Sequence, residues 1–138
     1  MASFNKFNSF VEAMAEKVHN LGSDQLKIAL TAAANAPVAT NTQLSNLTEA
    51  SYTNCSTRNV TTTSSAQTSG TYKLVCVDLV LTASGGSVGP FRYIVFYNDT
   101  ATNKELIGFW DYGSDVTLAN GETFTIDFDG TNGVLQVA

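Results

Sequence analysis

The sequence predicts a mainly β protein: an antiparallel β-sandwich, of the jelly-roll or a similar Greek-key type, with one amphipathic α-helix at its N-terminus. Two observations predict this fold class. From Thr71 onward, short apolar or alternating segments are separated by turn signals about every ten residues. In addition, Asn-Gly at 120–121 and Asp-Gly at 129–130 are dipeptides that supply positive φ angles in tight hairpins.

Length and composition predict a single domain over residues 1–138. The chain is about the size of one domain, and no internal segment has the composition of a boundary between two. Hydrophobic residues make up 43% of the chain and charged residues only 14%. There is therefore enough apolar material for a core, and the polar surface must consist mainly of Thr, Ser, Asn and Gln.

The first predicted element is a helix over residues 3–21. Apolar residues recur there at spacings of three and four, with Ser3 as a cap at the start and Gly22 just after the end. A stripe that contains three Phe needs a cover, which is either the same domain or a neighbouring subunit. The residues of the stripe are Phe4, Phe7, Phe10, Val11, Met14, Val18 and Leu21.

The next segments are a strand and a long polar stretch. "DQLKIALTAA" alternates apolar and polar residues, as a strand with one buried face does. Residues 39–69 are rich in Ser, Thr and Asn, and a loop of this length is usually functional, often as a contact arm. Within this extended polar arm, "NVTTTSS" has the β-branched content of an exposed edge strand.

Residues 71–138 are predicted to contain the main strands of the sandwich. "YIVFYN" and "KELIGFWDYG" are predicted to be two strands joined by "NDTATN" as a reverse connection. Both faces of "YIVFYN" carry apolar residues, which is typical of a central strand or of one covered by another subunit. The strand segments are "TYKLVCVDLVLTA", "FRYIVFYN", "KELIGFWDYG", "DVTL", "ETFTIDF" and "VLQVA".

No residue pattern predicts a catalytic, metal or cofactor site. His19 is the only histidine and has no hydrolase motif beside it. "DFDGTNG" at 127–133 lacks the spacing and the closing Glu of an EF-hand, so a strand with Asp129-Gly130 in its turn is the favoured interpretation. Cys55 and Cys76 are expected to stay unpaired in a reducing compartment.

The net charge and the N-terminus exclude two further classes of partner. A formal charge of −5 with a pI near 4.5 argues against direct binding to nucleic-acid phosphates. Glu12 and Glu16 interrupt the apolar residues of the N-terminal segment, so it is neither a signal peptide nor a membrane span. We therefore expect synthesis in the cytoplasm and no membrane partner.

An aromatic platform is an alternative use of the large side chains near residue 100. Exposed aromatic rings suit the faces of sugars, and the candidate platform is Tyr97, Trp110 and Tyr112. A buried sandwich core uses the same residue types, and this second interpretation is favoured. Exposure of the three rings together is the feature that distinguishes the two.

Three segments resemble a family of small virion structural proteins of tailed bacteriophages. The blocks "YNDT", "IG-aromatic-W-DYG" and "GETFT-aliphatic-DF" occur together and in order. The resemblance implies a place in the virus particle and transfers no catalytic residue. The segments are "FNKFNSFVEAMAEKVHNLGSDQLKIALT", "GGSVGPFRYIVFYNDTATNKELIGFWDYGS" and "LANGETFTIDFDGTNGVLQVA".

Within such particles, a small acidic β-sandwich is similar to the decoration, or cement, proteins on the capsid exterior. This resemblance implies a non-enzymatic head protein that bridges subunits of the major capsid protein and associates with itself as a homo-dimer or homo-trimer. The alternatives are a component of the tail or of the head–tail junction, or a carbohydrate-binding adsorption module. The candidate interface residues are Phe4, Phe7, Phe10, Met14, Leu44, Leu47 and Tyr52.

Overall fold

Strands make up most of the regular structure in the computed structural model, which describes residues 2–138. Two short 3₁₀ turns, at Ala33–Asn35 and Leu44–Asn46, lie in the loop that follows the second strand. The elements are β1 (Asn5–Lys6), α1 (Ser9–Ala15), β2 (Leu26–Thr31), β3 (Asn59–Val60), β4 (Thr62–Thr68), β5 (Thr71–Cys76), β6 (Leu79–Thr82), β7 (Val88–Asn98), β8 (Leu106–Leu118), β9 (Thr123–Ile126) and β10 (Leu135–Val137).

The strands form three antiparallel sheets in a sandwich-like arrangement. The largest sheet has the order β1-β8-β7-β2-β3, and the two smaller sheets have the orders β10-β5-β4 and β6-β9. Apolar side chains from all three sheets meet in one buried cluster, the central core, which includes Ile28, Leu74, Leu81, Phe96 and Ile126. The prediction of a mainly β chain with antiparallel pairing and one helix near the N-terminus is confirmed.

Both faces of the large sheet carry buried clusters formed by the chain itself. β2 pairs with β7 from Leu26↔Asn98 to Thr31↔Tyr93, so alternate residues point to opposite faces. One face contributes to the central core. The other carries a second buried cluster, the outer core, on which the loop between β2 and β3 packs. The outer core consists of Phe7, Ala29, Val95, Tyr97 and Leu106, with Leu44, Leu47 and Phe109 packed against it.

The helix is much shorter than predicted, because the first two Phe residues belong to an extended segment. β1 pairs with β8 through Asn5↔Phe109 and Lys6↔Gly108. Residues an odd number apart point to opposite faces of a strand. The Phe4 ring therefore lies 5.1 Å from Trp110 on one face, and the Phe7 ring lies 5.2 Å from Phe109 on the other. The predicted helix over 3–21 is wrong outside Ser9–Ala15.

Residues 39–69 do not form an extended arm. Backbone hydrogen bonds hold the loop against the sheet, from Leu44 N to Lys104 O at 3.0 Å and from Ala50 N to Leu30 O at 2.8 Å. The end of the segment forms β3 and β4, each at the edge of its sheet, as the edge-strand prediction for "NVTTTSS" required. The polar composition of the segment did not predict this packing, because only a few apolar residues of the loop make the contact.

Neither of the two predicted Gly turns is a hairpin. Gly121 has a φ of 88°, as predicted, but its turn joins β8 to β9, which lie in different sheets. Gly130 has no positive φ; the Asp129 carboxylate instead accepts hydrogen bonds from the Thr131 and Asn132 amides, each at 2.8 Å. A tight hairpin with positive φ angles does join β4 to β5, at Ser69 and Gly70.

Candidate functional site

The predicted interface residues are used inside the chain. Phe7 and Phe10 are buried, with exposed fractions of 0% and 5%, and the other five are half-buried. Leu44 and Leu47 cover the outer core, and Phe4 and Met14 pack against the central core. Of the two covers expected for the Phe stripe, the same domain or a neighbouring subunit, the structure shows the first, because the chain uses these residues to cover its own sheet.

Tyr52 anchors the loop between β2 and β3 instead of facing a partner. Its hydroxyl donates to Glu49 Oε1 at 2.7 Å and accepts from the Leu30 amide at 2.9 Å. The Arg58 guanidinium lies 3.5 Å above its ring. Burial raises the pKa of the Tyr52 hydroxyl, so it stays protonated and keeps donating to Glu49.

The three candidate platform rings do not share a surface. Tyr97 lies in the outer core with only 2% of its surface exposed, and burial raises its pKa to about 12. Trp110 and Tyr112 lie two residues apart on β8 and therefore point to the opposite face of the same sheet. The platform prediction is thus wrong for Tyr97. The other two rings do line one cleft, together with residues that the sequence analysis missed.

This cleft, the β8–β9 cleft, is the open side of the sandwich. It has a volume of about 360 Å³ and lies between β8 of the large sheet and β9 of a small one. Its floor is apolar, and Tyr112 is 54% exposed beside it. The lining residues are Ala2, Ile94, Trp110, Tyr112, Thr123, Phe124, Thr125, Ile126 and Asp127.

Aromatic packing fixes the walls of the cleft. The Tyr112 ring meets Phe124 edge to face at 5.2 Å, which ties β8 to β9 across the opening. Trp110 packs between Phe4 at 5.1 Å and Phe128 at 5.8 Å. Gly108 leaves the space for the Phe4 ring, because a Cβ at this position collides with it. The cleft is therefore preformed, with rigid apolar walls.

A buried polar cluster joins the segment after α1 to the hairpin between β7 and β8. The fully buried Asn98 amide nitrogen donates to Asp24 Oδ2 at 2.6 Å and to His19 Nδ1 at 3.0 Å. Its carbonyl oxygen accepts from the Thr100 and Ala101 amides at 3.0 and 3.1 Å. These bonds fix the orientation of the amide and place the His19 proton on Nε2.

Burial lowers the pKa of His19, which is only 7% exposed, while Glu105 and Asp24 partly oppose the shift. The His19 Nε2 and Glu105 Oε2 atoms are buried and have no hydrogen-bond partner among residues 2–138. Burial therefore keeps the His19 imidazole neutral, and its Nδ1 atom accepts a hydrogen bond from Asn98. Asn98, its hydrogen-bonded neighbour, and Asp24, which accepts a hydrogen bond from the same Asn98 amide, give it no nucleophile to activate.

We expect the free energy of unfolding to fall as the pH drops below 6.5. The folded pKa of His19 lies below its ordinary value of 6.5, so the unfolded chain takes up the proton first. The free energy of unfolding keeps its full value above pH 6.5. It falls as the pH decreases from 6.5 to the pKa of His19 in the folded protein, by about 1.4 kcal/mol per pH unit at most. Urea unfolding at about pH 7.5 and pH 5.5 measures the loss.

His19→Gln should remove most of this pH dependence. The carboxylates with lowered pKa, Asp99, Asp111 and Asp129, start from an ordinary value of 3.8, so their contribution is lost only at more acidic pH. A variant that loses as much stability as the wild-type protein between the two pH values contradicts the role given to His19.

The two cysteines and the acidic side chains are the remaining groups that could react or bind a metal ion. Cys55 and Cys76 are unpaired, and burial raises the pKa of both thiols. Residues 2–138 contain no group of three or more His, Cys, Asp or Glu side chains placed to hold a metal ion. No helix within this range is long and apolar enough to cross a membrane.

Comparisons with known proteins add no relative. The chain matches no protein-family model, no curated protein and no solved structure.

Proposed function

We propose that this protein is a non-enzymatic structural component of a tailed-bacteriophage virion: a decoration, or cement, protein. It binds the outside of the head and stabilises contacts between subunits of the major capsid protein. The resemblance of three of its segments to small virion proteins of tailed bacteriophages suggests a place in the virus particle. The β8–β9 cleft supplies the surface for a protein partner.

The observation that carries the proposal is the preformed β8–β9 cleft, an apolar opening in a β fold whose large sheet carries a buried cluster on each face. The loop between β2 and β3 closes one face of the large sheet, and the smaller sheets close the other. The β8–β9 cleft combines an exposed Tyr112 with an apolar floor, and Tyr is among the residues enriched where proteins bind one another. A rigid β fold with such a cleft suits a protein that holds capsid subunits together.

The negative net charge supports a location on the outside of the head. The chain has a formal net charge of −5, and its basic residues are few. Contact with the DNA-filled interior favours clusters of Lys and Arg that neutralise phosphates. The exterior makes no such demand, and self-association into a small homo-oligomer suits a shell that presents symmetric sites.

Purified protein added to undecorated heads of the encoding phage tests the proposal. We expect binding and a rise in the temperature at which the heads release their DNA, because a ligand specific for the assembled lattice stabilises it. Heads that receive an unrelated acidic protein at the same concentration are the control. Binding without any change in release temperature argues against cementing, and the absence of binding argues against a head location.

A carbohydrate-binding adsorption module is the second candidate. Trp110 and Tyr112 share the cleft with the Asp127 carboxylate, and aromatic rings beside a polar group suit a sugar. Calorimetric titration with host surface polysaccharide, and with a Trp110→Ala variant, tests it. Heat of binding that disappears in the variant favours the adsorption module over the decoration protein. A tail or head–tail position, the remaining alternative, is distinguished by imaging the particle.

A further inference from the structure

β9 has a hydrogen-bonding partner on one side only. It pairs with β6 from Leu79↔Ile126 to Thr82↔Thr123, and no other strand of residues 2–138 pairs with it. Just beyond this ladder, the Ala83 amide donates to the Glu122 carbonyl at 3.0 Å. Because the bonds of an antiparallel ladder alternate, Thr123 and Thr125 direct their N–H and C=O groups away from β6. β9 therefore presents an unpaired edge.

The β8–β9 cleft runs along this edge. Five consecutive residues, 123–127, line the cleft, and the opposite wall is formed by Trp110 and Tyr112. Consecutive strand residues point to alternating faces, so a cleft lined by all five follows the edge of β9 and not one of its faces. An extended peptide can pair with such an edge along its whole length, whereas a sugar ring cannot match its regular amides and carbonyls.

The side chains of the cleft define the chemistry of the occupant. Ile94 and Ile126 form an apolar floor, which suits alternate apolar side chains of an added strand. Asp127 is exposed, is the only charged residue among those that line the cleft, and has no hydrogen bond or salt bridge to another described residue. On a chain with a net charge of −5, this carboxylate favours a Lys or Arg in the occupant.

We propose that the β8–β9 cleft binds an extended segment of the major capsid protein, with alternating apolar residues and a Lys or Arg opposite Asp127, which adds to β9 as a new strand. The choice of the capsid subunit as the source rests on the proposed function. Backbone pairing supplies affinity, and the apolar floor and Asp127 supply specificity. The added strand also closes the open side of the sandwich, so binding and completion of the fold are one event.

Co-sedimentation with undecorated heads and hydrogen exchange of the bound protein test this inference. Thr125→Pro removes an N–H that points away from β6, a position where an edge strand tolerates Pro. It should bind heads about tenfold or more weakly while it unfolds at nearly the wild-type temperature. Asp127→Lys should weaken binding by about tenfold. Glu12→Lys, an equal charge change on the exposed face of α1, should stay within about twofold.

The outcomes separate the inference from the proposed function. Strand addition is supported if residues 123–127 exchange more slowly in the bound wild-type protein and if Thr125→Pro and Asp127→Lys bind heads more weakly. Wild-type binding that neither variant weakens, without such protection, overturns strand addition and leaves the decoration role standing. If the wild-type protein does not bind heads at all, the decoration role falls. Protection of 123–127 that rises with the concentration of the protein alone identifies a second copy as the occupant, which overturns the capsid segment.

Discussion

Phe7→Ala should lower the free energy of unfolding by about 3–5 kcal/mol, the cost of deleting a fully buried Phe ring. Phe7 is 0% exposed and packs in the outer core against Phe109 at 5.2 Å. The loop that carries Leu44 and Leu47 packs directly on this core. Removal of the ring leaves a cavity under the loop, and denaturant unfolding measures the loss.

The control and the protein concentration make this prediction specific. Val11→Ala, on the exposed face of α1 with 58% of its surface accessible, should change stability by less than about 0.5 kcal/mol. The loss in Phe7→Ala should not depend on protein concentration, because the cover of Phe7 comes from the same chain. A variant as stable as the wild-type protein at low concentration would show that Phe7 serves an intermolecular contact instead.

Asn98→Ala should cost on the order of 3 kcal/mol, because each buried group left without its hydrogen bond costs about 1–3 kcal/mol. The substitution removes the acceptor of the Thr100 and Ala101 amides and the donor to His19 and Asp24. The end of the β7–β8 hairpin then loses its side-chain hydrogen bonds to His19 and Asp24 in the segment after α1. Urea unfolding at neutral pH gives the change.

Two further variants isolate the cause. Asn103→Ala, in the same hairpin but exposed, should cost less than about 0.5 kcal/mol. Asn98→Asp keeps an acceptor for the two amides but places a second carboxylate beside Asp24, so its deficit should shrink as the pH falls and the pair takes up a proton. An Asn98→Ala protein within 0.5 kcal/mol of the wild type, a margin of about the size expected at exposed sites, refutes the structural role of the cluster.

The β character of the chain was predictable because strand formation leaves a local, period-two pattern. Alternation in "KIAL" marks β2. The apolar residues on both faces of "YIVFYN" indicated a central strand or one covered by another subunit, and β7 is the central strand of its sheet. The helix boundary was not predictable from spacing. Offsets of three between Phe4, Phe7 and Phe10 fit one helical face, but they equally fit the opposite faces of a strand edge, and pairing with β8 decides between them.

The candidate site was predictable only in part, for the same reason. Trp110 and Tyr112 lie at i and i+2 on one strand, so the sequence places them together. Trp110 and Tyr112 point to the face of the sheet opposite to Tyr97 because Ile94 pairs with Trp110, and no local sequence pattern predicts this pairing. Phe124 and Asp127 enter the cleft through the packing of one sheet on another. The role of Asn98 was not predictable because it ends β7 at the start of the turn-like sequence "NDTATN", although its buried amide organises the hairpin.

Imaging of the intact virion, at a resolution that traces the backbone, shows whether this protein decorates the head. We expect density for this β fold on the outside of the head, in contact with subunits of the major capsid protein. The β8–β9 cleft should face the shell, with an extended segment of a capsid subunit along β9. Density for the chain in the tail alone would contradict the decoration role.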